Sequence, residues 1–264
     1  MDETTTRKLA NDIVQWMLDY QESSGTCCWI VGVSGGIDSA VACRLAEYTN
    51  KNVQAIAMPM YCHGIVDSVN LDNVMKLCVN PHNVKLDIRP IGQIVESYKN
   101  NGVGCKRLLK SGQQLREGNL RSRIRANILY DAAHYFHGLV VGTGNKDEDQ
   151  IGYFTKGGDG LVDLCPLSDL HKSQVYDLAR YLNVPDSIIN AVPSAGLWDG
   201  QTDETELGMT YDEIEWALKH INTTRTDACL NLEELNILND VKQRVRTNAH
   251  KLKVPPVFPY NKDQ

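Results

Sequence analysis

Leu9, Ile13, Trp16, Met17 and Tyr20 recur at spacings of four, three, one and three, which puts them on one apolar face of an amphipathic helix across residues 4–20. Residues 27–33 (CCWIVGV) then run almost unbroken apolar, as a parallel strand buried on both faces does. Similar short runs return at 53–58, Val84–Ile88 and Gly138–Val141, each separated from the next by enough chain to hold a helix. Helical periodicity appears at 39–48, 66–79 and Gln113–Phe136. A helix followed by repeated strand and helix predicts an α/β fold: a doubly wound, mostly parallel sheet with helices on both faces.

Past Val141 the pattern changes. Residues 142–160 are rich in Gly, Asp and Lys with no sustained period, and they read as a functional loop. A helix is predicted at 172–182, stopped by Asn183-Val184-Pro185, and two more at Tyr211–His220 and 232–250. Between them, residues 195–208 (AGLWDGQTDETELG) carry three Gly and four acids and look like a mobile lid. No internal repeat or second domain boundary shows, so residues 1–264 read as a single domain.

Composition narrows the function. With 42% hydrophobic and 23% charged residues, the chain is neither disordered nor a disulfide-dense miniprotein. No apolar stretch approaches the ~18 residues of a membrane span. The N-terminus lacks a basic and apolar leader, so a cytoplasmic, non-membrane protein is expected. A net charge of −6 argues against broad binding to nucleic acid, so a polyanionic ligand must meet a local basic site or a metal. The eight cysteines show no C-x-x-C or zinc spacing and are expected to be mostly buried, reduced thiols.

The chemistry gathers first at Ser34-Gly35-Gly36-Ile37-Asp38-Ser39, between the first strand and the helix after it. Free N–H groups at a helix start, close-approach glycines and two hydroxyls make a phosphate cradle. It is neither the dinucleotide G-x-G-x-x-G nor the lysine-bearing phosphate loop, and an ordinary capped turn is the plain alternative. Asp38 shifts the balance, because a carboxylate among phosphates calls for a bridging divalent cation such as Mg²⁺.

SGGIDS resembles the pyrophosphatase loop of ATP-dependent adenylating enzymes of the adenine nucleotide alpha-hydrolase type. Farther on, residues 118–130 (GNLRSRIRANILY), 141–148 (VGTGNKDE), 152–163 (GYFTKGGDGLVD) and 201–208 (QTDETELG) resemble the successive motifs of the NAD synthetase family, ammonia-dependent type. They stand in the family's order and, with the pyrophosphatase loop, extend from about residue 30 to residue 253. The resemblance implies ATP-dependent amidation of deamido-NAD by ammonia to NAD, AMP and pyrophosphate, through an adenylated nicotinate carboxylate.

It also implies roles for particular residues. Gly32, Val33, Ser34, Gly35, Gly36, Ile37, Asp38, Ser39, Thr143, Lys172 and Ser194 would bind ATP, Ser194 standing where a Thr is frequent. Asp38 and Glu148 would hold Mg²⁺, with Lys172 assisting at phosphate. Arg123, Lys156, Asp163, His250 and Lys251 would bind deamido-NAD. Arg123 and Arg125 lie two apart on a helix and point to different faces, and Arg125 is assigned to a structural ion pair. Phe154 could lie under a substrate ring. Asp159, between two glycines, is expected to bind or deprotonate ammonium as a catalytic group alongside Lys172. The Cys27-Cys28 pair, expected to be buried, is a poor nucleophile.

The family further implies a homodimer, and a chain of this size has no room for the glutaminase domain some relatives carry. Two alternatives remain open at this point: another adenylating ligase, or a non-catalytic adenine-nucleotide sensor. A sensor would not need the second, pyridine-nucleotide site.

Overall fold

The computed structural model describes residues 1–62, 65–67, 70–79, 81–100, 112–194, 202–221 and 230–259. Four strands, β1 (Cys28–Gly32), β2 (Asn52–Ala57), β5 (Val84–Ile88) and β6 (Gly138–Val141), form one parallel sheet in the order β5-β2-β1-β6. A short antiparallel pair, β3 (Met60–Cys62) and β4 (Ile65–Asp67), stands apart from it. The apolar run at β1 follows from its place inside the sheet. Trp29 and Val31 enter the core beneath α1 (Glu3–Ser24), α2 (Ile37–Tyr48) and α7 (Lys172–Tyr181), while Cys28 and Ile30 enter the core on the opposite face, against α5 (Gln113–Phe136).

From β1 the chain passes to β2 and β5 on one side and later returns to β6 on the other. The crevice beyond the carboxyl ends of β1 and β6 is therefore the switch point where open α/β sheets bind ligands. Both the 33–39 loop and the 142–145 turn open into it. A parallel bridge from Val141 to Leu164 extends that side. A third apolar cluster joins α6 (Lys146–Ile151), α9 (Asp203–Leu207), α10 (Tyr211–His220) and α11 (Leu232–Asn248) through Ile151, Leu207, Ile214, Leu238 and Val241. Among the described residues no helix is long and apolar enough to cross a membrane.

Four predicted elements differ. The helix expected over 66–79 is β4 followed by α3 (Leu71–Cys78), because Asp67 pairs with Met60 and Asn70 starts the helix by accepting from the Asn73 amide at 3.1 Å. The loop expected over 142–160 contains α6, whose start is a capping box of Asn145 and Glu148. Of the 195–208 loop, residues 195–201 lie outside the described residues and the remainder contains α9, closed by Gly208 at φ +74°. The helices α4 (Gly92–Asn100) and α8 (Asp186–Ile189) had no counterpart in the periodicity, and the last predicted helix stops at Asn248 before a 3-10 turn over Ala249–Lys251.

Candidate active site

A cavity of about 630 Å³ opens at the switch point, lined by the whole 32–39 loop and by Thr143, Glu148, Asp159, Lys172, Ser194 and Lys251. Its phosphate end is set by backbone geometry. Gly35 has φ +83°, and a Cβ there would lie 2.7 Å from the Asn70 carbonyl oxygen, so only glycine fits. Ser39 Oγ donates to the Gly36 carbonyl (3.0 Å) and accepts from the Ser34 amide (3.2 Å), which fixes the bend. No side chain caps α2, leaving its first amides to an anion.

Charged side chains from three helices meet in front of these amides. Lys172 Nζ donates to Asp38 Oδ2 at 2.6 Å, stands 3.7 Å from Glu148 Oε1, and lies 4.5 Å over the Tyr211 ring. Burial works against its ammonium, but Asp38, Glu148 and Asp203 together outweigh that and hold its pKa above the usual lysine range. Burial first, and then the neighbouring Asp38 carboxylate, push Glu148 up to about 8. Lys172 is itself anchored by the fully buried Asp147, which accepts the Lys172 amide at 2.7 Å and pairs with His171 Nδ1 at 2.6 Å.

Asn145, buried and not singled out by the sequence reading, joins the parts. Its Oδ1 accepts from the Asp147 and Glu148 amides, and its Nδ2 donates to Asp38 Oδ1 at 3.0 Å. An Asn three residues ahead of Glu148 was the available signal. Tyr211 and Asp203 were also missed. The Tyr211 hydroxyl lies 3.0 Å from Glu148 Oε1 and 2.9 Å from Asp203 Oδ2, while the Tyr153 hydroxyl lies 2.8 Å from Glu206 Oε2 and 3.3 Å from Asp203 Oδ1.

Three carboxylates, Asp38, Glu148 and Asp203, thus crowd one ammonium. Asp203 is turned to the Tyr211 and Tyr153 hydroxyls, and the excess of hard oxygen donors on Asp38 and Glu148 fits a divalent cation of the magnesium type. Among the described residues, the one group of three with metal-ligand spacing is Asp147, His171 and Glu215, and it reads as a polar relay. Asp147 is engaged as described above, and Glu215 accepts from Lys219 at 2.5 Å.

The far end of the cavity is made of loop. Asp159 Oδ1 accepts from Ser122 Oγ at 2.6 Å and from the Thr155 amide at 3.0 Å, and its own amide donates back to Ser122 Oγ at 2.9 Å. Ser122 is a fourth residue that the sequence did not single out. Lys251 Nζ donates to the Gly152 carbonyl at 2.6 Å and to the Phe154 carbonyl at 2.9 Å, with the Phe154 ring 5.2 Å away.

The other expected acid-binding residues lie outside this cavity. Arg123 is exposed and donates to the Lys156 carbonyl, Lys156 donates to the His250 carbonyl, and His250 is exposed. Asp163 accepts from Tyr130 and from the Val140 amide at 2.7 Å, which ties its turn to β6. Arg125, assigned to a structural ion pair, lines the cavity and donates from Nε to the Met58 carbonyl at 3.3 Å. Cys27, one residue ahead of β1, and Cys165, one residue past the bridge at Leu164, are exposed, against expectation. Burial pushes the Cys28 thiol up to about 11, in keeping with an inert group.

Comparison with known proteins gives one family. The NAD synthase family model matches residues 9–255. An NH(3)-dependent NAD(+) synthetase of Methanosarcina acetivorans is 34% identical over 256 residues, covering 95% of this chain and 97% of that one. Among solved structures, the NMN synthetase of Francisella tularensis matches with a TM-score of 0.82 and 32% identity over 97% of this chain and 99% of its own. The NH3-dependent NAD synthetase of Campylobacter jejuni, solved with a nitrate ion, matches with a TM-score of 0.77 and 27% identity over 98% and 100%. The chain belongs to the NAD synthase family.

Proposed function

We propose that the protein amidates the nicotinate carboxylate of deamido-NAD with free ammonia, using ATP and releasing AMP and pyrophosphate. The observation that carries this reading is the meeting of Asp38, Lys172 and Glu148 at the uncapped start of α2, with Asp159 lining the same cavity.

The loop amides and Ser34 and Ser39 cradle the triphosphate, with Thr143 and Ser194 as further ATP contacts. The substrate carboxylate attacks the α-phosphorus, forming the acyl-adenylate and releasing pyrophosphate. Lys172 neutralises charge as it builds on the leaving pyrophosphate. Mg²⁺, bound through Asp38 and Glu148, would supply Lewis-acid neutralisation of the phosphates. Asp159, oriented by Ser122, holds ammonium and takes its proton, so that ammonia attacks the acyl carbon and AMP departs. Walls from β6 and α5 exclude water that would otherwise hydrolyse the intermediate.

We further infer a cytoplasmic homodimer. Arg123, Lys156, Asp163 and His250 lie beyond the cavity of one chain, where a second copy would complete a dinucleotide site. Sedimentation equilibrium tests the dimer, with a monomer at micromolar concentration as the contrary result.

The test of function is direct: purified protein, ATP, magnesium, deamido-NAD and an ammonium salt, with AMP, pyrophosphate and NAD followed by chromatography. Equal AMP and NAD support the reading, and absence of AMP ends it. Glutamine in place of ammonium should give no turnover.

A second reading takes nicotinate mononucleotide as the acid. It is favoured by the likeness to the Francisella NMN synthetase, whose TM-score and identity exceed those of the Campylobacter enzyme. The ratio of kcat/KM for the mononucleotide and the dinucleotide decides between them.

A further inference from the structure

Tyr211 opens α10, whose start is fixed by Thr210 accepting the Glu213 amide at 3.2 Å. The residue is buried, and its hydroxyl faces two carboxylate oxygens, Glu148 Oε1 at 3.0 Å and Asp203 Oδ2 at 2.9 Å. A phenol carries one hydrogen and so donates to one of them at a time. The other Glu148 oxygen, Oε2, accepts the Asn145 amide at 3.3 Å within the capping box. Glu148 is thereby held on one edge by its own helix turn and on the other by Tyr211. The Lys172 ammonium, at 3.7 Å, is too far to replace that hydrogen bond.

We propose that Tyr211 is a positioning residue for Glu148, its hydroxyl keeping the carboxylate turned toward Asp38 so that the two can share one divalent cation. This rests on the cation reading given above. Through Asp203 the same hydroxyl also touches α9, so the cation pair and the segment after residue 201 share one hydrogen-bond donor.

Tyr211→Phe keeps the ring beneath Lys172 and deletes the hydroxyl alone. Mn²⁺ is the probe, and its binding to the full 264-residue chain with a non-hydrolysable ATP analogue is read by electron paramagnetic resonance, without turnover. Glu148→Gln is the reference: if it binds Mn²⁺ as tightly as the wild type, the cation reading itself falls. Where Glu148→Gln weakens binding, Tyr211→Phe is expected to weaken Mn²⁺ about tenfold, the worth of one charge-assisted hydrogen bond.

The Mg²⁺ needed for half-maximal rate should rise in step, with the KM for ammonium unchanged. Mn²⁺ affinity within about twofold of wild type, whatever the melting temperature does, would make the hydroxyl a packing group and overturn the proposal. Should Tyr211→Phe fail to fold, Asp203→Asn decides. It leaves the phenol able to donate to Glu148, so Mn²⁺ affinity should change by less than about threefold. A loss as large as about tenfold would assign the effect to the Asp203 charge and overturn the role given to Tyr211.

Discussion

At the phosphate end of the cavity, charged groups are held chiefly by buried side chains; at the far end the main chain takes a larger share. Asp38, Lys172 and Glu148 come from three helices and are locked by Asn145, Asp147 and Tyr211, all buried. Lys251 is held by two loop carbonyls, and Asp159 by one hydroxyl and one amide. The first arrangement depends on mutual neutralisation in a dry setting, so losing one member strands the others. The second depends on loop shape, and its parts can fail one at a time.

Lys172→Met should break this contrast most severely. It leaves Asp38 and Glu148 facing each other without a counter-charge, so urea unfolding should show a loss of about 3–5 kcal/mol. Turnover should fall by about 10³-fold or more. A stability loss under about 1 kcal/mol would mean that the two ends do not differ in kind.

Gly35→Ala comes next, since a methyl group would meet the Asn70 carbonyl and the residue would be held at φ +83°. Displacing the cradle in this way should slow AMP formation by about 10²-fold, measured at saturating acid substrate. Asp159→Asn should lower kcat by about 10²-fold and raise the KM for ammonium while sparing the KM for ATP. An unchanged ammonium dependence removes Asp159 from the mechanism.

Ser122→Ala should reproduce the Asp159 pattern at about tenfold, because one hydrogen bond to a charged group is lost. Lys251→Met is the mildest, with the KM for the acid substrate rising by about fivefold or less and kcat preserved.

β1 and β6 were legible because they are largely buried and read as unbroken apolar runs, while β5, an edge strand, showed through its alternation of apolar and charged residues; β5 and β6 match the predicted residues. Elements shorter than two helical turns, such as α6 and α9, were not, since periodicity needs length to register. At the site, the residues assigned to phosphate or metal in the family reading stood in recognisable motifs, and the structure brings them to one cavity. Ser122, Asp203 and Tyr211 escaped notice because their contacts with Asp159, Tyr153 and Glu148 span 37 to 63 positions, which no local pattern encodes, and Asn145, though it has a local capping signal, reaches Asp38 across 107. Arg125 escaped for a simpler reason: spacing says that Arg123 and Arg125 diverge, but not which one turns inward.

Gly152 packs so tightly on α11 that a Cβ would lie 2.2 Å from the Asn248 Cβ, and Asn248 in turn donates to the Ile151 carbonyl. Two residues of the C-terminal segment, Asn248 and Lys251, thus clasp the backbone of the loop that presents Phe154 and Asp159, through the carbonyls of Ile151, Gly152 and Phe154. Among the described residues the Asp38–Lys172 pair has no contact with that segment, so trimming the chain ahead of Asn248 should loosen one end of the cavity and spare the other.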